Sequence, residues 1–245
     1  MVEDATGSHA TGPLGGRIAY VTGASRGIGA ATAQALAAAG AHVLISGRTV
    51  SDLERVEDAI HQAGGSATIA PFDLAEGDAL PRLAAAVAER WERLDILVLN
   101  AAVLPQLGPV AQIEAKEFTR VLTLNVMATQ ALIAAFDPLL RRSEVARVVG
   151  LTSSVGAAPR AYWGAYGATK AAFDCLLATY AQEVERISSI RVAILDPGAT
   201  RTTMRARAFP GEDPQTVKPP ETVAQRIAAL VAEDFPTGHR ERVEG

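Results

Sequence analysis

The stretch "VTGASRGIGAA", Val21 to Ala31, overlaps the apolar run "RIAYVT" (17–22) and leads into small residues at helical spacing. Strand, glycine turn and helix in that order bring Gly23, Gly27 and Gly29 to the place where a pyrophosphate can approach a helix N-terminus. Side chains there would block the approach of backbone to phosphate and of helix to strand. The spacing, G-x-x-x-G-x-G, is one residue longer in its first gap than the G-x-G-x-x-G fingerprint, and the lysine of a P-loop is missing. Taken alone, the stretch also fits a tight turn with nothing bound.

Outward from this turn, short apolar runs alternate with longer amphipathic ones along the whole chain. Strands are predicted at 17–22, 42–46, 67–72, 95–100, 147–153, 191–196 and, weakly, 240–243, with helices near 27–39, 51–63, 78–92, 115–137, 164–187 and 221–233. The rhythm is that of βαβ units. It predicts an α/β fold: a single Rossmann-type doubly wound domain, with a mostly parallel sheet of about seven strands and helices on both faces. Ser51 and Glu54 have the spacing of a capping box at the start of the second helix, with Asp52 as a first-turn acid. Residues 1–15 read as a flexible lead before one catalytic domain at 16–245. Residues 199–220 ("ATRTTMRARAFPGEDPQTVKPP") break the rhythm and read as a substrate lid or binding loop.

With 245 residues, 49% of them hydrophobic, the chain can bury a substantial core. Its 23 basic and 27 acidic residues argue against a nucleic-acid surface or a polybasic membrane contact. No apolar run is expected to reach the length of a membrane helix, and the N-terminus lacks the pattern of a secretion signal. Cys175 has no companion for a disulfide or a metal site, so it is expected as a buried thiol in a reducing, cytoplasmic setting. Small molecules and copies of the chain itself are the expected partners.

Two further clusters carry chemistry. The second strand ends "LISGRTV", with Arg48 where an acid often holds the adenosine ribose, and Arg26 lies inside the glycine turn. Two guanidinium groups can clamp a 2′-phosphate that a carboxylate would repel, so NADP is favoured over NAD. In "YGATK", Tyr166 precedes Lys170, one of three lysines, by one helical turn. A phenol ionises near pH 10; an ammonium about 4 Å away, at an effective dielectric of ~20, would lower that by about 3 units and make Tyr166 a working acid/base. "LTSSVG" ends the fifth strand and presents Ser153 and Ser154 at the edge of the sheet where ligands bind.

Together "TGASRGIG", "LNAA" (99–102), "YGATK" and "DPGATRTTM" resemble the short-chain dehydrogenase/reductase family, from about Gly16 to the end of the chain. "RAYWGAYGATK" and "TRTTMRARAFPGEDPQ" are similar to a bacterial subgroup of YciK type, labelled oxidoreductases without an assigned substrate. The resemblance implies NADP(H)-dependent interconversion of a carbonyl and an alcohol by hydride transfer. It implies that Ser153 orients the substrate oxygen, Tyr166 transfers the proton, Lys170 tunes the phenol and holds the nicotinamide ribose, and Asn125 anchors a water in the proton relay. Ser153 is preferred to Ser154 because it stands 13 residues before the tyrosine and three before Gly156; Ser154 remains the alternative.

For the cofactor, the resemblance implies Gly23, Ser25, Gly27, Ile28 and Gly29 in the cofactor turn, beside the Arg26 and Arg48 read above as the clamp for the 2′-phosphate. Asp73 and Leu74 fall at the adenine, Asn100 and Ala101 at its ribose, and Pro197, Gly198 and Thr202 at the nicotinamide end. Ala102 departs from the family's N-A-G. No metal is implied, and a homodimer or homotetramer packed through the helices at 115–137 and 164–187 is. The alternative reading is a catalytically silent NADP-binding sensor or scaffold, which would need the glycine turn but not the tyrosine and lysine.

Overall fold

The computed structural model describes residues 12–74 and 79–244. Seven strands form one sheet in the order β3-β2-β1-β4-β5-β6-β7. They are β1 Ile18–Val21, β2 His42–Gly47, β3 Ser66–Pro71, β4 Ile96–Leu99, β5 Arg147–Leu151, β6 Arg191–Asp196 and β7 His239–Arg242. Every pairing is parallel, including the weakly predicted β7 against β6. The order reverses between β1 and β4, and a crevice opens at the C-terminal ends of those strands, where doubly wound sheets take ligands.

Near-continuous apolar strands are what a sheet covered on both faces requires. Successive β1 residues divide between two cores. Ala19 and Val21 pack on one face with Leu36 of α1 (Gly27–Ala38), Leu53 of α2 (Val50–Gln62) and Ile227 of α9 (Pro220–Ala232). Ile18 and Tyr20 pack on the other with Val87 of α3 (Ala79–Trp91), Phe136 of α5 (Ala128–Leu140) and Leu177 of α7 (Gly164–Val184). Gly150 of β5 lies under Phe173 and Leu177, so the absence of a side chain lets α7 settle on the sheet.

Several expectations need correction. The predicted helix at 115–137 is three pieces: α4 (Ala115–Leu122), a π-helical turn at Thr123–Met127 and α5, which runs on to Leu140. As one run, Ala115–Leu140 has a window of mean hydropathy 1.3 and is long and apolar enough by composition to cross a membrane, contrary to the sequence reading. Here Leu132, Phe136, Leu139 and Leu140 are buried in the second core. The capping box does not form: α2 starts at Val50, its N-cap Thr49 makes no side-chain cap bond, and Ser51 is already inside the helix. Cys175 is exposed on α7, not buried.

Of the lead, residues 1–11 lie outside the described residues. Gly12, Pro13 and Gly15 are exposed, but Leu14 is fully buried and its amide donates to Ala39 O (2.9 Å). The long loop holds α8 (Thr203–Ala208), capped by Thr202, whose hydroxyl accepts from Arg205 N at 3.1 Å.

Candidate active site

At the floor of the crevice, a threonine and an asparagine clamp the glycine turn to β4. Thr22 Oγ1 donates to Val98 O and accepts from the amides of Asn100 and Ala101, each at 3.1 Å. Asn100 Nδ2 donates to Thr22 O (2.8 Å) and Gly23 O (3.1 Å). Gly23 (φ +64°) has no room for more: a Cβ would stand 2.9 Å from Ala101 Cα. At Gly29 a Cβ would run into the carbonyl of Gly23. Arg26 caps α1 with extended backbone and no side-chain bond, so the first-turn amides of α1 face the crevice unclaimed by a cap. This cradle fits an anionic phosphate linkage.

A cleft of about 470 Å³ extends from the cradle. It is lined by Gly23, Ser25, Arg26, Gly27, Ile28, Arg48, Asp73, Leu74, Asn100, Ala101, Tyr166, Lys170, Pro197 and Thr202, which brings most of the predicted site together. Arg26 and Arg48 are exposed, and no ion pair ties either to an acid among the described residues. Gly29 lies beneath the turn. Gly198 (φ +62°) sits behind Pro197, where a Cβ would be 2.9 Å from Lys218 Nζ. Ser153, half-buried at the N-cap of α6 (Ser154–Ala157), and the exposed Ser154 do not line the cleft. The neighbouring Thr152 does, and its buried Oγ1 has no hydrogen-bond partner among the described residues.

Asn125 lies behind the wall rather than in it. Its side chain accepts from Val103 N (2.8 Å) and donates to Val103 O (3.0 Å) and Thr169 Oγ1 (3.1 Å). Thr169 Oγ1 in turn donates to Tyr166 O at 2.8 Å, so one asparagine joins the loop after β4 to the turn of α7 that carries the tyrosine. The π-helical turn is the local departure from α-geometry that carries Asn125.

Tyr166 and Lys170 share a face of α7, as their spacing predicts, with Lys170 Nζ 5.8 Å from the centre of the phenol ring. The electrostatic expectation is overturned. Lys170 Nζ donates to Leu151 O at 2.7 Å and lies nearer the Phe173 ring, 4.6 Å away, than the Tyr166 ring. Burial pushes the phenol well above its usual value, and the carboxylate of Asp196 pushes it further. Burial also lowers Lys170 to about 8, against the opposing pull of Asp174 one turn on. Tyr166 is 7% exposed, and Met204 of α8 lies against its hydroxyl, Sδ 4.0 Å from Oη. Leu104, Val155 and Tyr166 form a small apolar cluster, with Trp163, Met204 and Ala208 against it. A buried, protonated phenol beside an apolar wall can donate a proton to an oxygen brought against it.

Thr22, Thr152, Asp174 and Met204 were not singled out from the sequence. Thr22 stands beside the glycine turn and Asp174 follows Lys170 at i+4, so their places in the motifs could have marked them. Met204 ends the "DPGATRTTM" stretch, but nothing local shows that it reaches the phenol from 38 residues away.

The profile of the short chain dehydrogenases matches residues 17–213. The oxidoreductase YciK of Escherichia coli K12 is 36% identical over 224 residues, 90% of this chain and 88% of that protein. A short chain dehydrogenase of Pseudomonas syringae superposes with a TM-score of 0.91 at 40% identity, covering 94% of this chain and 96% of that one. A short chain dehydrogenase of Escherichia coli CFT073, solved in complex with NADPH, superposes with a TM-score of 0.91 at 34% identity, covering 97% and 100%. With its cradle, its parallel sheet and its Tyr166–Lys170 pair, this chain belongs to the short chain dehydrogenase family.

Proposed function

We propose that this protein is an NADP(H)-dependent oxidoreductase that interconverts a carbonyl and an alcohol, with Tyr166 as the proton donor and acceptor. The observation that carries the reading is the placement of Tyr166 and Lys170 in the same cleft as the glycine turn, Arg26 and Arg48. NADP(H), when bound, supplies or accepts the hydride.

The side chains of this chain do the rest. The amides at the start of α1 and the bare glycine turn hold the phosphates. Arg26 and Arg48 hold the 2′-phosphate, a preference in keeping with the NADPH complex of the relative from strain CFT073. Asp73 and Leu74 border the adenine, Asn100 and Ala101 its ribose, and Pro197 and Thr202 the nicotinamide end. Tyr166 keeps its proton at neutral pH because burial disfavours the phenolate, and it gives that proton to the carbonyl oxygen as the alcohol forms. Lys170, fixed on Leu151 O, then stands one turn from the phenolate and stabilises it. Ser153 directs the substrate oxygen, and Asn125 sets the position of α7 relative to the loop after β4 and holds the relay water. With its proton held, the phenol is in the form that the reduction step uses.

We read residues 16–245 as one catalytic domain, with 199–220 as its substrate loop, working in the cytoplasm as a homodimer or homotetramer. The unpaired Cys175 suits a reducing compartment, and exposed Met127 on the α4–α5 run and Ile187 just beyond α7 suit burial between subunits. The test is an NADPH-oxidation screen over ketones, aldehydes, quinones and ketoacyl esters, run beside NADPH and NADH binding to wild type and Arg48→Glu. Turnover of at least one carbonyl is expected, with the charge reversal weakening NADPH far more than NADH. Equal losses for both nucleotides would remove the 2′-phosphate assignment.

A further inference from the structure

Three arginines sit in or beside α8, and the structure separates them. Arg205 is occupied, paired with Glu212 through two bonds (2.7 and 2.5 Å) and stacked 3.7 Å over the Phe209 ring. Arg201 points to Gln215, at 3.4 Å. Arg207 alone of the three lines the cleft, exposed and with no hydrogen-bond or ion-pair partner among the described residues. It follows Met204 by three residues, so the two are neighbours on one face of α8, and Met204 is the residue that lies against the Tyr166 hydroxyl. From the opposite wall Arg120 of α4 also lines the cleft. Glu117 is gripped by Arg120 through both oxygens, at 2.8 and 2.7 Å. Arg207 adds a smaller, longer-range pull on the Glu117 carboxyl, which the hydrogen bonds from Arg120 already hold below its usual range.

We infer that Arg207 is a specificity residue that receives an anionic group, a carboxylate or a phosphate, carried by the carbonyl substrate. The apolar body between the two ends would lie against Leu104, Trp163 and Met204. A guanidinium without a direct hydrogen-bond partner at the lip of an apolar pocket stabilises a bound anion more than a neutral analogue, which can accept only a neutral-acceptor hydrogen bond. The inference rests on the proposed reading of the cleft, but its test does not require turnover. The same anion-binding chemistry could instead serve a cofactor phosphate, and the test separates the two.

The NADP+-loaded protein is titrated calorimetrically with 4-acetylbenzoate and with its neutral methyl ester. Wild type is expected to bind the carboxylate about tenfold or more tightly than the ester. Arg207→Gln should bring the carboxylate down to the level of the ester, leaving the ester and NADP+ affinities unchanged, and Arg207→Lys should recover part of the loss. Equal affinities in wild type, no measurable binding of the carboxylate, or an unchanged ratio in Arg207→Gln would overturn the inference. So would a tenfold loss of NADP+ affinity in Arg207→Gln with the carboxylate preference intact, which would assign the arginine to the cofactor. A failure of the redox reading shows instead in the NADPH-oxidation screen, where Arg207 is wild type.

Discussion

Helices α7 and α8 face one another across the same cleft and are built on opposite terms. α7 is 21 residues long, seated on the sheet over Gly150, and both of its reactive side chains are buried. α8 is six residues long, buries none of them completely, and is held by the Thr202 cap and the Arg205–Glu212 pair. A proton donor needs a fixed position and a controlled charge state, which depth in a core supplies. A residue that sorts substrates must meet solvent and whatever arrives from it. The two helices touch through Met204 and Tyr166, so the exposed helix supplies part of the apolar cover over the phenol.

That contrast sets the ranking of substitutions. The largest loss should come on α7: Lys170→Met removes the cation beside the phenol and should lower kcat of NADPH-dependent reduction by about 100-fold or more, measured by steady-state kinetics. Next is the seat of α7. Gly150→Ala places a methyl against Phe173 and Leu177 and should destabilise the fold by about 1–3 kcal/mol in urea melts. On α8, Met204→Ala should change KM several-fold and folding stability by under about 1 kcal/mol, since the site is half exposed. If Met204→Ala cost as much stability as Gly150→Ala, the division between a fixed and an adaptable wall would be wrong.

The smallest effect is a slope. In the folded protein burial holds Lys170 near 8 rather than the ordinary 10.5. Between about pH 8 and 10 the unfolded chain therefore carries a proton that the folded chain has released, and stability rises with pH by at most roughly 1.4 kcal/mol per unit. Tyr166, shifted the other way, contributes only above its ordinary value near 10. Urea denaturation across that range should show the rise in wild type and a flatter line in Lys170→Met.

Much of this architecture was legible in the residues. Gly23, Gly27 and Gly29 after an apolar run define a turn that few other sequences could make, and the strand and helix runs alternate so regularly that the sheet follows from them. Arg48, Tyr166 and Lys170 could be placed in one cleft by motif spacing alone. What escaped depended on contacts between distant segments. Asn125 sits in a π turn and holds Val103, 22 residues upstream, so no local periodicity marks the break in the 115–137 run. α8 is too short for a period to show, and its cap and ion pair lie within an irregular loop. The alanine-rich faces of α7 give little guidance on which side is buried, which is why Cys175 was expected inside. The direction of the phenol's shift depends on the same kind of distant contact: helical spacing shows the nearby cation, while the burial that raises the phenol comes from Met204 and the surrounding core.

The central claim is that Tyr166 gives the proton, and Tyr166→Phe tests it most directly, because that change removes one hydroxyl and leaves the ring in its apolar cluster. For any carbonyl that wild type reduces, the variant should bind NADPH within a few-fold of wild type while turnover falls by about 100-fold or more. Turnover within threefold of wild type, at about the same NADPH affinity, would contradict the account.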